Sequence, residues 1–273
     1  MKPIPLTCAA VVALAAAPAF AQQAPAHAGP QTVLPNILNT GDGATVEVRL
    51  DYTHFDVLDV DTLGFTFQGQ YITPGGFGVY GTIPFAYGSG EGDSASGLGN
   101  LEVGGLYVMH NSPDLDIFVR GGLAIDTADD DGTGLAPLAF LIPRLPDAFP
   151  SGADSNWLRL HGGVRTKGAL VLGVQGGVDF PTEGDGVDGV FTLSASAGIV
   201  QPGFGLSAGI AYMRVLFDDT GVSFVDDDTV GFNAVIDFNA TPKTKVFGAF
   251  GVNLDEIDDD LSVSLGGGVR IAL

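Results

Sequence analysis

The stretch that decides the fold is residues 262–273, SVSLGGGVRIAL. Every second position carries a bulky apolar side chain or Gly, as at Val263, Leu265 and Ile271, and the positions between them are small or polar, including Arg270. Successive side chains of a β-strand point to opposite faces. The alternation therefore predicts a strand with one apolar and one polar face.

The same alternation recurs along most of the chain, and a helical period is missing almost everywhere. Turn residues such as Gly, Pro, Asn and Asp bound each segment. We predict twelve strands, roughly at residues 44–56, 61–72, 77–88, 97–110, 115–127, 156–166, 169–181, 188–200, 204–217, 228–239, 244–254 and 261–273.

The connections between these segments alternate in kind. The even-numbered ones are short and contain Gly or Pro, as in Lys167-Gly168, which is typical of tight hairpins. The odd-numbered ones are mostly longer and contain most of the 32 acidic residues, whereas Lys167, Lys243 and Lys245 lie at short turns. One end of the molecule is therefore predicted to be compact and the other to be acidic and rich in loops.

The first residues resemble a secretory leader. Lys2 precedes an apolar run at residues 9–17, and Ala19-Phe20-Ala21 fits a signal-peptidase site. We therefore expect residues 1–21 to be a cleaved signal peptide. Cys8 is the only cysteine, so the exported chain has no disulfides and depends on backbone pairing and burial for stability.

Composition excludes several classes of protein. The net charge of −21 argues against nucleic-acid binding, because phosphate contacts need clustered Lys and Arg. No stretch after residue 21 is long and apolar enough for a membrane-spanning helix. The hydrophobic share of 45% argues against disorder.

These features together predict the fold class: an all-β, closed antiparallel transmembrane β-barrel of about twelve strands in the outer membrane of a Gram-negative cell. Such barrels have short periplasmic turns, longer extracellular loops and dyad-alternating strands. The sheet must close, because lipid offers no partner to an unpaired backbone group. Residues 22–43 are expected to form a short periplasmic segment, and residues 44–273 the barrel, with the last strand pairing back to the first.

With the apolar side facing lipid, a set of charged residues faces the lumen. The candidates for a lumen lining or constriction are Arg49, Asp51, Glu102, Arg120, Arg159, His161, Arg165 and Arg270. Two interpretations stay open: Arg–carboxylate pairs that brace the wall, or a charged constriction that selects permeants by sign. Arg214 departs from the scheme, because it falls on the outward face. Twelve strands allow a narrow pore rather than a wide one.

The third odd-numbered connection is unusual because its centre is apolar and rich in proline. We expect it to include one short helix and to fold over or into the mouth, bringing an apolar surface there; the alternative is packing against lipid or another protomer. The residues that form this surface are Leu135, Leu138, Phe140, Ile142 and Leu145.

A resemblance to a known family rests on residues 78–108, GVYGTIPFAYGSGEGDSASGLGNLEVGGLYV. An apolar strand with Pro84, a Gly/Ser loop and the Gly97-Leu98-Gly99-Asn100-Leu101 strand entry resemble the meta-pathway phenol-degradation transporter family. Asn100 stands where that family usually has Asp. The resemblance implies an outer-membrane barrel, related in role to FadL-like channels, that takes up small molecules, hydrophobic or aromatic ones among them.

Catalytic and metal-binding alternatives have less support. No G-x-S-x-G or H-E-x-x-H motif is present, and we expect neither an enzyme nor a cofactor. The aspartate-rich loops lack the EF-hand spacing, so a hydrated rim is expected, with divalent bridging to lipopolysaccharide phosphates as the alternative. The sequence thus favours a passive channel for small molecules. A structural or adhesive barrel with a filled lumen is the alternative, and a barrel enzyme is less favoured.

Overall fold

The computed structural model describes residues 31–55, 59–90, 93–128, 130–151, 155–182, 187–218, 228–254 and 262–273. Their strands are β1 (Gly43–Phe55), β2 (Val60–Ile72), β3 (Phe77–Gly90), β4 (Asp93–Leu98), β5 (Leu101–Ser112), β6 (Leu115–Ile125), β7 (Trp157–Thr166), β8 (Leu170–Pro181), β9 (Val187–Gln201), β10 (Phe204–Asp218), β11 (Asp228–Thr241), β12 (Thr244–Asn253) and β13 (Val263–Ala272). Helix α1 (Asp130–Leu141) and two 3₁₀ turns, Leu145–Asp147 and Phe149–Ser151, lie between β6 and β7.

All these strands belong to one antiparallel sheet that closes on itself. Each strand pairs with its neighbours, and β1 pairs with both β2 and β13. Strands β4 and β5 share one place in the wall, because both pair with β3: β4 with its residues 85–90 and β5 with its residues 77–82. The wall therefore has twelve positions, which confirms the predicted closed barrel.

The stretch SVSLGGGVRIAL closes the barrel. Strand β13 pairs with β1 from Thr45 opposite Ala272 to His54 opposite Val263. Arg270 is buried on the inner face, whereas Leu265 is 59% exposed on the outer face. The alternation read from the sequence thus separates the two surfaces of the wall.

The outer surface of the wall is apolar. Large apolar side chains that are exposed on it include Leu50, Phe65, Val119, Leu160, Leu172, Leu206, Ile210, Ile236 and Leu265. Arg214 also lies on this face, with its side chain 54% exposed and its Nε 3.6 Å from Asp228 Oδ1. The Tyr212 hydroxyl donates a hydrogen bond to the same carboxylate at 2.6 Å, so Arg214 belongs to a polar group beside the β10–β11 connection.

The two ends of the barrel differ. The turn end, where β1 begins and β13 ends, has the short connections 73–76, 113–114, 167–169, 202–203 and 242–243. Gly76 and Gly203 have φ of 84° and 101° there, a region that favours glycine. The opposite end, here the loop end, carries the connection with α1. No helix among the described residues is long and apolar enough to cross a membrane.

Two chain segments occupy the barrel interior. The N-terminal segment, residues 31–42, lies in the half next to the turn end, where Leu34, Ile37 and Leu38 pack against inward side chains such as Ile72 and Phe118. The insert, residues 130–151, enters from the loop end and packs Ala136, Phe140, Ile142 and Leu145 against inward side chains of several strands. The sequence analysis placed residues 22–43 outside the barrel, so the location of residues 31–42 differs from that expectation.

Candidate functional site: the barrel lumen

The eight charged residues predicted to face the lumen all do so. Seven of them are buried, namely Arg49, Asp51, Glu102, Arg159, His161, Arg165 and Arg270, and the Arg120 side chain is 9% exposed. They do not form one continuous ring. The structure places them in separate groups that contact the insert, the N-terminal segment or each other.

Arg159 lies at the centre of the largest ionic group. Its Nη1 is 2.6 Å from Glu102 Oε2 and 2.9 Å from Asp147 Oδ1, and its Nε is 3.1 Å from Asp179 Oδ1. The Tyr80 hydroxyl donates to Glu102 Oε1 at 2.6 Å. One guanidinium thus ties β5 and β8 to the insert, since Asp147 belongs to the insert.

His161 contacts the same group. Its Nε2 is 2.7 Å from Asp179 Oδ1, and its buried Nδ1 has no hydrogen-bond partner. Among the described residues, no serine or threonine hydroxyl hydrogen-bonds to this ring. The described residues also contain no group of three or more His, Cys, Asp or Glu side chains arranged to hold a metal ion.

Asp147 is held by three guanidiniums. Arg144 Nη2 is 2.5 Å from its Oδ2, and Arg159 Nη1 and Arg120 Nη2 are 2.9 Å and 3.7 Å from its Oδ1. Burial alone would raise the pKa of Asp147, but the charges of Arg144, Arg159 and Arg120 outweigh burial and hold that pKa well below its ordinary value. The sequence analysis did not single out Asp147; the signal was a charged pair, Arg144 and Asp147, inside an apolar connection.

Two further ion pairs lie on strands β1 and β13. Arg49 Nε is 2.7 Å from Asp51 Oδ2, and Arg270 Nη2 is 2.5 Å from Glu47 Oε2. Glu47 and Arg270 are cross-strand partners, so the second pair joins the two strands that close the barrel. Arg49 also donates from Nη2 to the Pro143 carbonyl of the insert at 3.4 Å.

Arg165 differs from the other lumen arginines. Its Nη2 donates to the Thr32 carbonyl at 2.7 Å and its Nη1 to the Leu38 carbonyl at 3.4 Å. In the described part of the chain it has no carboxylate within ion-pair distance. This buried guanidinium is therefore directed at the backbone of the N-terminal segment.

Other wall side chains bind the backbone of the same segment. The Val33 and Leu38 amides donate to Asp237 Oδ2 and Gln175 Oε1, both at 3.1 Å. The Ser207 hydroxyl donates to the Val33 carbonyl at 2.6 Å, the Ser196 hydroxyl to the Pro35 carbonyl at 2.7 Å, and Gln70 to the Asn39 carbonyl at 3.0 Å. An irregular segment in the interior needs such partners, because it makes few backbone bonds of its own.

The last residues of the N-terminal segment bind a polar group at the turn end. The Thr40 hydroxyl donates to Asp116 Oδ2 at 2.7 Å. Asp116 is also 2.7 Å from His110 Nδ1 and 2.6 Å from Lys167 Nζ, and His110 Nε2 is 3.1 Å from Asp42 Oδ1. Four charged or titratable groups thus fasten the segment where it joins β1.

The motif that carried the family resemblance anchors the insert. Asn100 lies between β4 and β5, and its backbone amide donates to the Ser151 carbonyl at 2.6 Å. Its side-chain Oδ1 accepts hydrogen bonds from the backbone amides of Thr127 and Ala128, both at 3.1 Å. A Cβ on Gly99 would collide with the Ser151 carbonyl. The Gly-Asn pair therefore lets the end of the insert approach the wall where the strand is interrupted.

The insert residues predicted to form an apolar surface lie inside the barrel. Phe140, Ile142 and Leu145 are buried, and Leu135 and Leu138 are partly buried against the same cluster. Their partners are inward side chains of the strands, among them Phe55, Ala86, Trp157, Val190 and Met213. The Asn233 side-chain amide donates to the Ile142 carbonyl at 3.2 Å, so the insert reaches β11 across the lumen.

A cavity of about 90 Å³ remains between the two interior segments. Charged side chains from the wall and the insert line it, namely Glu47, Arg49, Arg120, Arg144, Asp147 and Arg270, together with Gln68, Gln70, Gln175 and residues of the N-terminal segment. A second, smaller space of about 10 Å³ lies beside Glu102, Phe140 and Arg159. The larger of these two spaces is thus small, polar and central.

Comparison with solved structures gives the fold. The chain is similar to an outer membrane channel from Pseudomonas putida F1 at 12% identity and a TM-score of 0.60, over 92% of this chain and 100% of that one. It is also similar to the NanC porin, at 9% identity and a TM-score of 0.57. A third similar structure is the KdgM porin in complex with disordered oligogalacturonate, at 11% identity and a TM-score of 0.54. Each of these two matches covers 84% of this chain, and they cover 100% of the NanC chain and 99% of the KdgM chain. No family model matches the sequence, and no curated protein matches it. At these identities the likeness shows that the chain has the fold of outer-membrane barrels.

Proposed function

We propose that this protein is an outer-membrane channel for passive transport of small molecules. The observation that carries the proposal is the charged central cavity inside a closed barrel with an apolar outer surface. A lumen lined by opposed charges is suited to hydrated solutes, and an apolar exterior is suited to lipid. Proteins with similar barrels bear the names of channels and porins, which supports the same role here.

The proposed orientation places the turn end in the periplasm and the loop end outside the cell. An even number of wall positions leaves both ends of the barrel chain at the turn end, and the leader predicted at residues 1–21 would direct export. The acidic connections would then face the medium, where divalent cations could bridge them to lipopolysaccharide. Lys167 and Lys243, at the turn end, would face the periplasm, whereas the Lys245 side chain is buried and pairs with Asp237 inside the barrel.

Conduction in this proposal requires movement of an interior segment. The N-terminal segment fills one half of the lumen and the insert fills the other, with about 90 Å³ between them. Solutes must therefore pass around the two segments, and displacement of either one would widen the path for water. The resemblance of residues 78–108 to phenol-degradation transporters supports small permeants, aromatic ones among them.

Liposome swelling tests the proposal directly. Protein reconstituted without residues 1–21 should admit small sugars and aromatic acids at a rate above that of empty liposomes. As a control, the same protein denatured before reconstitution should add no flux. Absence of flux for every solute tested would contradict the proposal.

A second candidate is a structural barrel without a permeant. The observation that favours it is the filling of the lumen by residues 31–42 and 130–151. A structural barrel would likewise have no catalytic role. It would give no flux of solute through the complete chain, at any voltage or pH. The swelling assay therefore separates the two candidates.

A further inference from the structure

We propose that the central cavity is a binding site for a small organic carboxylate, held by the guanidinium of Arg120. The inference names a class of permeant for the lumen and to that extent rests on the proposed channel function. It is carried by the charges around the cavity, by the hydrogen-bonding state of Arg120 and by the Asp147 carboxylate beside Arg120.

Cationic side chains outnumber anionic ones at the surface of the cavity. Arg49, Arg120, Arg144 and Arg270 line it, against the carboxylates of Glu47 and Asp147. The chain as a whole carries a net charge of −21, so this local excess of guanidiniums is opposite in sign to the rest of the molecule. A solute that enters the cavity meets a surface that favours an anion.

Arg120 has hydrogen-bonding capacity that the protein leaves unused. Its side chain is 9% exposed, and its buried Nε has no hydrogen-bond partner. Its contacts are a 3.7 Å approach of Nη2 to Asp147 and a position over the Tyr80 ring, with Cζ 5.6 Å from the ring centre. The other three arginines of the cavity each have a carboxylate within 2.7 Å, from Asp51, Asp147 or Glu47. Leaving a buried charged donor unpaired is costly, so Arg120 is the group that gains most from a ligand.

Asp147 shows which chemistry this surface accepts. Its carboxylate lies at the edge of the cavity within 3.7 Å of Arg120, 2.9 Å of Arg159 and 2.5 Å of Arg144. The planar guanidinium matches a carboxylate through two parallel hydrogen bonds. A second carboxylate on the free side of Arg120 would repeat an arrangement that the chain makes with its own side chain.

The size of the cavity limits the ligand. A volume of about 90 Å³ is below the roughly 150 Å³ that holds a benzene ring. The site therefore fits an anion the size of acetate or propionate, or the carboxylate end of a larger acid whose body displaces part of an interior segment. Simple monocarboxylates are the appropriate probes.

The test measures binding without transport. ¹³C-labelled acetate is titrated into the folded, leader-free chain in detergent at constant ionic strength, and binding is followed by NMR line broadening. We expect saturable binding, with a Kd on the order of 1 mM. Arg120→Gln should weaken it by about tenfold or more, since a hydrogen bond to a charged group is lost. Arg120→Lys, which keeps the charge but not the planar fork, should weaken it less. Arg214→Gln, on the outer surface, is the matched control and should bind as the parent does.

Folding of each variant is checked by its heat-dependent migration in electrophoresis, and Arg120→Lys keeps the test decisive if Arg120→Gln does not fold. Absence of saturable acetate binding, or binding that neither Arg120 variant weakens, would overturn the inference. Inorganic phosphate binding more tightly than acetate would overturn the assignment to carboxylates. Liposome flux is measured separately: flux without acetate binding contradicts only this inference, and acetate binding without flux supports the site while contradicting the proposed channel.

Discussion

The two segments inside the barrel are held by different physical means. The N-terminal segment is irregular, with one turn at residues 35–36, and wall side chains such as Arg165, Gln175 and Asp237 hydrogen-bond its backbone. The insert begins with α1, whose backbone bonds to itself, and the wall facing it is largely apolar, as at Phe55 and Met213. A buried backbone must find partners, so an irregular segment needs polar wall residues along its length, whereas α1 needs them only for the carbonyls that follow it.

This difference changes the meaning of the inward polar residues. Near the turn end, Gln70, Ser196 and Ser207 donate to the N-terminal segment rather than to an open pore. Near the insert, the polar wall residues contact Asp147 and backbone carbonyls that follow α1, such as those of Ile142 and Pro143. The charged cavity between the two segments is where polar groups of the wall and the insert face open space.

Removing the N-terminal segment should have the largest effect, because it leaves the insert as the remaining segment inside the barrel. Deletion of residues 31–42 should raise single-channel conductance on the order of tenfold, because water replaces the segment across half of a lumen otherwise wide enough for a narrow pore. The barrel should still form, since the first strand among the described residues begins at Gly43. Planar bilayer recording of the deleted and complete chains measures the effect. Equal conductance would mean that the segment does not limit the path.

A charge placed in the apolar cluster between the insert and the wall should displace the insert. Leu145 is 1% exposed, so Leu145→Asp places a carboxylate without a partner in the cluster, at a cost of roughly 3–5 kcal/mol. We expect the insert to leave the lumen and the conductance to rise, with a folded barrel. Leu138→Asp, at a partly buried position of the same insert, should have a smaller effect. The account is contradicted if both variants conduct as the parent does.

Arg165 offers a finer test of the N-terminal segment. Arg165→Gln removes two charge-assisted bonds to Thr32 and Leu38 but also removes a buried charge, so the segment should loosen by about 1–2 kcal/mol net. Modification of an Ile37→Cys reporter by a maleimide should then be about tenfold faster. Arg214→Gln serves as the control with an unchanged rate. An unchanged rate in Arg165→Gln would show that the other contacts suffice.

The smallest expected effect is that of mild acid on the insert. The pKa of Asp147 lies below its ordinary value, so its ionised form stabilises the insert fully above about pH 4, and this contribution is lost only as pH falls through the lower pKa of the folded state. Labelling of an Ala148→Cys reporter, buried in the parent, divided by the labelling rate of the denatured chain at the same pH to remove the change in thiolate fraction, should therefore not change between pH 7 and pH 5. Acceleration already in that interval would mean that another titrating group holds the insert.

The wall could be predicted from the sequence, because each strand repeats a period of two that lipid and lumen impose. The eight lumen candidates follow from that period. Residues 31–42 could not be placed, because QTVLPNILNTGD has no regular period and its partners come from many strands. Two signals were nevertheless available: Arg165 has no complementary acid on its own strand, and inward glycines such as Gly173 leave room that Leu34 and Ile37 fill. Asp147 was missed for a similar reason, since its three arginines converge only after the insert folds inward.

The central claim is that residues 31–42 lie inside the barrel, and a disulfide tests it most directly. A Cβ at Gly173 would lie 3.1 Å from Ile37 Cγ1, close to the separation of a Cβ from the partner sulfur in a disulfide. In the leader-free chain, Ile37→Cys with Gly173→Cys should cross-link on mild oxidation and leave no thiol for a maleimide. Ile37→Cys with Gly69→Cys, which has no atom within 4 Å of the added Cβ, should stay reduced. Two free, reactive thiols in the Ile37–Gly173 pair of the folded protein would contradict the account.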